Sequence, residues 1–89
     1  MKQTFIFFYS IKFEPNKLKT AIPAHIAYWE KLASEAFTEG PFRDRSGGLI
    51  ISPAEDQRAA EDICNNDPYV KEGLVVEYQV KEWLISHQR

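Results

Sequence analysis

The sequence is poor in the residue types that mark secreted and metal-binding proteins. Among its 89 residues it has one cysteine, Cys64, so no internal disulfide can form and a reducing compartment is expected. The two histidines, His25 and His87, stand far apart, and no zinc-ligand spacing such as CxxC or HxxxH occurs. The sequence therefore predicts no metal site.

Long hydrophobic runs and basic clusters are also missing. The apolar run from Phe5 to Tyr9 is too short for a signal peptide, and no run approaches the roughly 20 apolar residues that cross a bilayer. The formal net charge is -2, and no basic stripe offers a surface to a polyanion. We therefore expect a cytoplasmic protein whose partners include neither nucleic acid nor a membrane.

Apolar residues make up 44% of the chain and aromatic residues 13%, which is typical of a folded globular protein, and we interpret residues 1–89 as a single domain. Four stretches predict strands by their alternation or by their aromatic and β-branched residues: Thr4 to Ser10, Ala36 to Phe42, Leu49 to Ile51 and Leu74 to Val80. The first and third of these are apolar on both faces, which indicates that each face is covered.

Two other stretches predict amphipathic helices. The first begins at Pro23, after a surface loop, and its inner face is expected to comprise Ile22, Ile26, Trp29, Leu32, Ala33 and Ala36. The second runs from Ala54 to Asn66, is capped by Ser52 or a neighbour, and has an expected inner face of Ala59, Ala60, Ile63 and Cys64.

The resulting order β-α-β-β-α-β predicts an α+β, ferredoxin-like fold, with a four-stranded antiparallel sheet and both helices on one face. The other face then carries apolar side chains from the first and third strands. Because monomers rarely expose so large an apolar patch, we expect a homodimer that packs sheet against sheet.

His25 is the first candidate for acid/base chemistry. It falls in the first turn of the predicted first helix, beside the expected inner face, so its ring should lean towards the sheet. A helix N-terminus disfavours imidazolium, which predicts a neutral, basic ring unless a carboxylate lies beside it. The alternative is a boundary histidine that bonds a backbone carbonyl. His87, near the end of the chain, is expected to be a solvated tail residue.

Asp67 is the candidate carboxylate. Its simplest interpretation is a turn or cap residue before Pro68, which needs no chemistry. We expect both helices to end at the sheet edge opposite the start of the first helix, and this would separate Asp67 from His25 within one chain. Whether the two residues meet in one subunit or across a dimer is left open by the sequence.

Five segments, in order and with compatible spacing, resemble the YCII-related domain family: PAHIAYWEKL (Pro23 to Leu32), EGPF (Glu39 to Phe42), SGGLII (Ser46 to Ile51), DPYVKEG (Asp67 to Gly73) and VKEW (Val80 to Trp83). The resemblance implies a dimeric α+β barrel, and an active site whose histidine and aspartate map onto His25 and Asp67. One enzyme group that resembles the family removes chloride from a chlorinated hydroxyquinol, a reaction that needs proton transfer and no cofactor.

Two hypotheses of function follow. The first is a cofactor-independent enzyme of lyase or isomerase type, in which His25 moves a proton and Asp67 orients it. Its small-molecule pocket would be shaped by the backbone at Gly40-Pro41 and Gly47-Gly48 and by aromatic rings, with the expected substrate-binding residues Tyr9, Gly40, Pro41, Gly47, Gly48 and Tyr69. The second is a ligand-binding or accessory protein without catalysis, in which His25 and Asp67 are structural.

Overall fold

Three of the four strands form in stretches rich in aromatic and β-branched residues, and all four build one antiparallel sheet. A computed structural model of the chain describes residues 2–32 and 37–89. Along the chain its elements are β1 Gln3–Ile11, α1 Pro15–Leu32, β2 Thr38–Pro41, β3 Gly47–Ala54, α2 Gln57–Asn65, α3 Pro68–Lys71 and β4 Val75–Glu82. The strands lie in the order β2-β3-β1-β4 across the sheet. The predicted ferredoxin-like α+β class is confirmed, with the single turn of α3 added.

The core lies between the helices and one face of the sheet. Phe5, Phe7 and Tyr9 alternate along β1 and are all buried. Ile50 of β3 is paired with Phe7, and β4 presents Val80 to the same face. Burying a large apolar side chain stabilises a fold by about 1.5–3 kcal/mol, so these strands anchor the domain.

The start of the first helix corrects the sequence analysis, because α1 begins at Pro15 and not at Pro23. Pro15 occupies the first helical position, where a missing N–H costs nothing, and the Glu14 carbonyl accepts the first helical bond from Leu18 N at 2.9 Å. Pro23 lies inside the helix. A proline there removes one backbone hydrogen bond and disfavours the helix. The packing of the inner face compensates, and the segment stays helical.

The inner face of α1 is also turned relative to the prediction. Its buried residues are Ala21, His25 and Trp29, spaced four apart, whereas the predicted Ile22, Ile26 and Leu32 are each 43–44% exposed. The apolar pattern predicted Trp29 correctly, but it missed the rest of the buried face because that face includes a histidine and a small alanine. The predicted residues Ala33 and Ala36 lie outside the described part of the chain.

The second helix begins later than predicted. α2 starts at Gln57 with Asp56 as its N-cap, whose carboxylate accepts from Ala59 N at 2.8 Å. Ser52 does not cap it, because β3 continues through Ser52 and Pro53 to Ala54 and pairs with β1 up to Gln3. Ala60 and Cys64 are buried as expected, while Ala59 and Ile63 are half-buried.

On the opposite face of the sheet, none of the helices in residues 2–32 and 37–89 provides cover. Ile6 pairs with Ile51 there, and Phe8 pairs with Leu49. The Phe8 side chain is 49% exposed and meets the Phe42 ring at a centroid distance of 5.5 Å. On β4 this face is polar, with exposed Glu77, Gln79 and Lys81.

Candidate functional site

Asp67 lies between α2 and α3, and local chain chemistry fixes its position. It is the N-cap of α3, with Pro68 as the first helical residue, and its Oδ1 accepts from Tyr69 N at 2.8 Å. The residue is 0% exposed. A carboxylate this deep needs further donors, because burying an unpaired charge costs several kcal/mol.

Those donors come from α1. His25 Nδ1 lies 2.9 Å from Asp67 Oδ1 and 2.8 Å from Oδ2, and Trp29 Nε1 donates to Oδ2 at 2.7 Å. His25 and Trp29 are four residues apart, so they lie on the same side of the helix and reach one carboxylate together. Asp67 therefore has three hydrogen-bond donors: the backbone N–H of Tyr69 in α3, and the side chains of His25 and Trp29 in α1.

His25 and Asp67 therefore meet within one chain, which corrects the expected separation. Because β3 runs antiparallel to β1, α2 runs opposite to α1 and its end returns alongside α1. Tyr28 of α1 marks this approach, since its hydroxyl donates to the Ile63 carbonyl in the last turns of α2 at 2.6 Å. The order of the elements already implied this geometry, but the directions of the helices were assigned incorrectly.

The position of His25 within α1 is likewise different from the prediction. It lies more than two turns beyond Pro15, so the positive end of the helix dipole, which acts within the first turn, does not govern its charge. The carboxylate of Asp67 is its nearest charged group.

The contact with Asp67 decides which ring nitrogen is free to react. A carboxylate accepts, so Nδ1 carries hydrogen and the neutral ring has its lone pair on Nε2. Nε2 is buried and has no hydrogen-bond partner among the described residues. The nearest charged atom to it is Glu39 Oε1 at 3.7 Å, which is beyond hydrogen-bond distance.

Two tyrosines hold the imidazole in place. The Tyr69 ring is stacked on it with centroids 4.0 Å apart and planes 3° apart, and Tyr9 meets it edge-on at 6.0 Å. Burial raises the pKa of Tyr69 to about 12, assisted by the charges of Asp67 and Glu39, and burial likewise raises the pKa of Tyr9. Both phenols therefore keep their protons near pH 7 and present O–H donors.

A pocket of about 440 Å³ opens beside His25. It is lined by Tyr9, Ile11, Lys12, Phe13, Leu18, Ile22, His25, Ile26, Glu39, Pro41, Arg45, Gly47 and Tyr69. Most of these side chains are apolar or aromatic, with a few charged groups at defined places, which is the usual character of a small-molecule site.

Some of the expected substrate-binding residues line the pocket and others do not. Tyr9, Pro41, Gly47 and Tyr69 line the pocket with His25, while Asp67 lies behind the imidazole. Gly48 is not a lining residue but supports one, since a Cβ there would come within 2.5 Å of the Tyr9 hydroxyl.

Gly40 lies elsewhere. It pairs with Leu49, which faces the open side of the sheet, and no atom lies within 4 Å of where its Cβ would be. The expectation that Gly40 shapes the pocket therefore does not match its position.

Sequence reasoning missed the role of Trp29 as a donor to Asp67 and the presence of Glu39 and Lys12 in the pocket. The sequence predicts Trp29 only as an inner-face residue of the first helix. Its place four residues after His25 could have indicated that both side chains reach the same carboxylate. Glu39 lies on the short strand β2, and the side of the sheet on which its side chain lies follows only from the pairing of β2 with β3. Arg45, an exposed residue of the loop before β3, also lines the pocket.

Across residues 2–32 and 37–89, no three or more His, Cys, Asp or Glu side chains come together as metal ligands would. None of the helices in this part of the chain combines the length and hydrophobicity needed to cross a membrane.

The fold and the buried imidazole-carboxylate pair beside a pocket define a ferredoxin-like α+β domain with a candidate acid/base site. The chain belongs to the YCII-related domain family, whose match covers residues 5–84. No curated protein sequence matches it.

Solved structures give the same fold. The chain is similar to 5-chloro-2-hydroxyhydroquinone dehydrochlorinase (TftG) from Burkholderia phenoliruptrix, solved with 2,5-dihydroxybenzoquinone, at 27% identity and a TM-score of 0.73, covering 91% of this chain and 93% of that one. It is also similar to SnoaB, a cofactor-independent oxygenase from Streptomyces nogalater, at 12% identity and a TM-score of 0.58, covering 98% and 95%.

A third similar structure is Rv0793 from Mycobacterium tuberculosis, at 9% identity and a TM-score of 0.63, covering 99% of this chain and 98% of that one. At these low identities, SnoaB and Rv0793 bear on the fold alone. The likenesses confirm the predicted fold class, the ferredoxin-like protomer of the dimeric α+β barrel architecture.

Proposed function

We propose that the protein is a cofactor-independent small-molecule enzyme of lyase or isomerase type, with His25 as its acid/base group and Asp67 as the residue that orients it. The observation that carries the proposal is the free Nε2 atom of His25. It is buried and lacks a partner among the described residues, and it belongs to a ring that lines the pocket. A buried polar atom left unpaired costs about 1–3 kcal/mol, which a bound substrate would recover.

The proposed chemistry is a proton transfer at Nε2. A substrate O–H or C–H bond breaks, its proton bonds to Nε2, and the electron pair stays on the substrate. The resulting imidazolium keeps its Nδ1–H on Asp67, whose negative charge stabilises it. The Nε2 proton then returns to another substrate carbon in an isomerase, or leaves with the departing group in a lyase, so that His25 ends neutral.

The shape of the pocket supports a planar hydroxylated substrate. Tyr9 and Tyr69 offer ring surfaces and protonated phenols, and Ile11, Leu18, Ile22 and Ile26 add apolar walls. The similarity to a dehydrochlorinase of a hydroxylated ring supports the same class of reaction. That enzyme's chlorinated substrate is a starting point for a screen and is not assigned to this chain.

A turnover screen tests the proposal. The unmodified protein is assayed with hydroxylated aromatic and lactone substrates beside His25→Ala, and His87→Ala serves as the matched histidine control in the exposed tail. We expect kcat to fall about 10²- to 10⁴-fold in His25→Ala and to stay unchanged in His87→Ala. Equal turnover in His25→Ala and the unmodified protein would remove His25 from the mechanism.

A second outcome separates catalysis from ligand binding alone. If ligands bind the pocket, no substrate is turned over, and His25→Ala changes only the melting temperature, the protein is the non-catalytic binding or accessory protein considered in the sequence analysis. The catalytic proposal then fails.

The proposal includes a homodimer and a cytoplasmic location. The half-exposed Phe8 and the half-buried Ile6, Leu49 and Ile51 form an apolar face that no helix of the described residues covers, and a second copy of the same face would bury it. The single cysteine, which is buried and reduced, supports a reducing compartment.

A further inference from the structure

Glu39 is a charged pocket residue for which the proposed proton transfer gives no role. It lies on β2 opposite the buried Ile50, so its side chain points towards the helices and the pocket. The side chain is only 21% exposed. Its charge acts on the nearby phenols of Tyr9 and Tyr69, and the ion-pair contact that it makes among the described residues, with His25 Nε2 at 3.7 Å, is too long for a hydrogen bond. A mostly buried carboxylate without a bonded partner is costly unless a ligand supplies donors.

The two groups that face each other here are both acceptors. Asp67 holds the proton of the neutral imidazole on Nδ1, so Nε2 offers a lone pair, and the Glu39 carboxylate offers oxygen lone pairs. Nε2 and Glu39 Oε1 are 3.7 Å apart. A single hydroxyl has one hydrogen and satisfies only one of them, whereas two neighbouring hydroxyls satisfy both.

We propose that Glu39 is a substrate-binding residue that selects ligands with two adjacent hydroxyl groups, one donating to His25 Nε2 and the other to the Glu39 carboxylate. This inference deepens the proposed function and rests on the same pocket. The hydroxyl on Nε2 is the one whose proton His25 takes, while Glu39 fixes the ring through the second hydroxyl. Stacking of the imidazole on Tyr69 keeps Nε2 directed at this position.

The test compares two probe ligands, catechol and phenol, which differ by the second hydroxyl. Binding of each is measured by titration calorimetry on the full chain. We expect the unmodified protein to bind catechol about tenfold or more tightly than phenol, because a hydrogen bond to a charged acceptor contributes at least that much. Glu39→Leu should reduce this ratio to about one, and Glu39→Gln, which keeps an acceptor oxygen, should retain part of it.

Glu77→Leu is the matched control, because Glu77 is an exposed glutamate of β4 and is absent from the pocket lining. It should leave the catechol to phenol ratio unchanged. Glu39→Gln covers the case in which Glu39→Leu fails to fold, since glutamine keeps the size of the side chain.

Each outcome decides the inference separately from the proposed function. An unmodified protein that binds neither probe, or binds both equally, overturns the inference, and so does a ratio that survives in Glu39→Leu and Glu39→Gln. If the ratio depends on Glu39 but no substrate is ever turned over, the inference stands and the catalytic proposal fails. If turnover depends on His25 but the ratio is insensitive to Glu39, only the inference fails.

Discussion

The rings of His25 and Tyr69 lie parallel, with centroids 4.0 Å apart and planes 3° apart. Tyr69 also donates its backbone N–H to Asp67 Oδ1, the carboxylate that binds His25 Nδ1. One residue of α3 therefore restrains the imidazole both through its ring and through the carboxylate. This relationship joins the DPY segment to the candidate acid/base group by two independent contacts.

Replacing Tyr69 should separate the role of its ring from that of its hydroxyl. Tyr69→Phe loses one phenol O–H of the pocket but keeps the stacked ring, so we expect only a small loss of turnover. Tyr69→Leu removes the ring as well, and a less well-oriented imidazole should lower kcat about tenfold or more while the free energy of unfolding falls by about 1–3 kcal/mol. Steady-state kinetics and chemical denaturation measure both. A loss of rate in Tyr69→Phe equal to that in Tyr69→Leu would assign the effect to the hydroxyl.

Asp67→Asn should affect both stability and the tautomer of His25. An amide has one acceptor oxygen and an NH₂ group, so it cannot accept from all three donors that reach Asp67: His25 Nδ1, Trp29 Nε1 and Tyr69 N. A buried donor left unpaired costs about 1–3 kcal/mol, and each kcal/mol lowers the melting temperature of a small domain by about 4–8 °C.

The same substitution favours hydrogen on Nε2, which removes the base, and kcat should fall about 10²- to 10⁴-fold. Asp62→Asn, on the exposed side of α2, is the matched control and should leave both quantities unchanged. Differential scanning fluorimetry and kinetics report them. If Asp67→Asn melted and turned over like the unmodified protein, the carboxylate would be neither a structural nor a catalytic partner of His25.

The fold was largely predictable because its signals are local. Strand positions follow from aromatic and β-branched residues, and the wet face of β4 follows from Glu77, Gln79 and Lys81. The predicted start of α1 was wrong for a physical reason, because Pro15 and Pro23 are both suitable first residues of a helix. Only the packing of Ala21, His25 and Trp29 against the sheet decides between them.

The site was predictable in its parts and not in its arrangement. The family resemblance named His25 and Asp67, but their contact depends on the direction in which α2 returns beside α1, a relation between elements distant in the chain. Glu39 was missed because β2 is short, and the face on which its side chain lies is set by pairing with Ile50.

Pro23→Ala tests whether packing holds α1 together across its internal proline. Alanine restores a backbone N–H and relieves the clash, which favours a helix interior by up to about 3 kcal/mol, partly offset because alanine loosens the unfolded chain. Because Pro23 is exposed, no core contact is lost, and we expect the free energy of unfolding to rise. Pro15→Ala, at the first helical position, should give no comparable gain. Urea denaturation compares the two, and a less stable Pro23→Ala would contradict this account.

Cys64 should be unreactive in the folded protein despite being the only thiol. Burial, with the charges of Asp67 and Glu61, raises its pKa to about 12, so the nucleophilic thiolate is scarce at pH 8. We expect iodoacetamide to label the native protein far more slowly than the denatured protein, as followed by mass spectrometry. Equal labelling rates in the two states would show that the thiol is accessible and its environment open.

The raised pKa of Cys64 also makes the free energy of unfolding depend on pH in the alkaline range. A folded-state pKa above the unfolded value means that the folded protein retains a proton that the unfolded chain releases. The resulting stability is present below the ordinary thiol range and is lost as pH rises through that range towards about 12. Tyr28 and Tyr69, whose pKa values burial also raises to about 12, act in the same direction. Urea denaturation at pH 8 and pH 10.5 should show a lower free energy of unfolding at the higher pH.

Phe8→Glu tests the proposed sheet-to-sheet homodimer. Phe8 is the most exposed large side chain on the open face, and a glutamate there would bury an unpaired charge against the second copy, which costs far more than the lost ring contact. We expect the unmodified protein to sediment at twice the mass of one chain and Phe8→Glu to sediment as a monomer. Leu32→Glu is the matched control, since Leu32 is an exposed apolar residue of α1, which packs on the other face of the sheet. A monomeric unmodified protein, or a Phe8→Glu variant that remains dimeric, would rule out association through this face, because an apolar contact centred on Phe8 cannot hold two buried carboxylates.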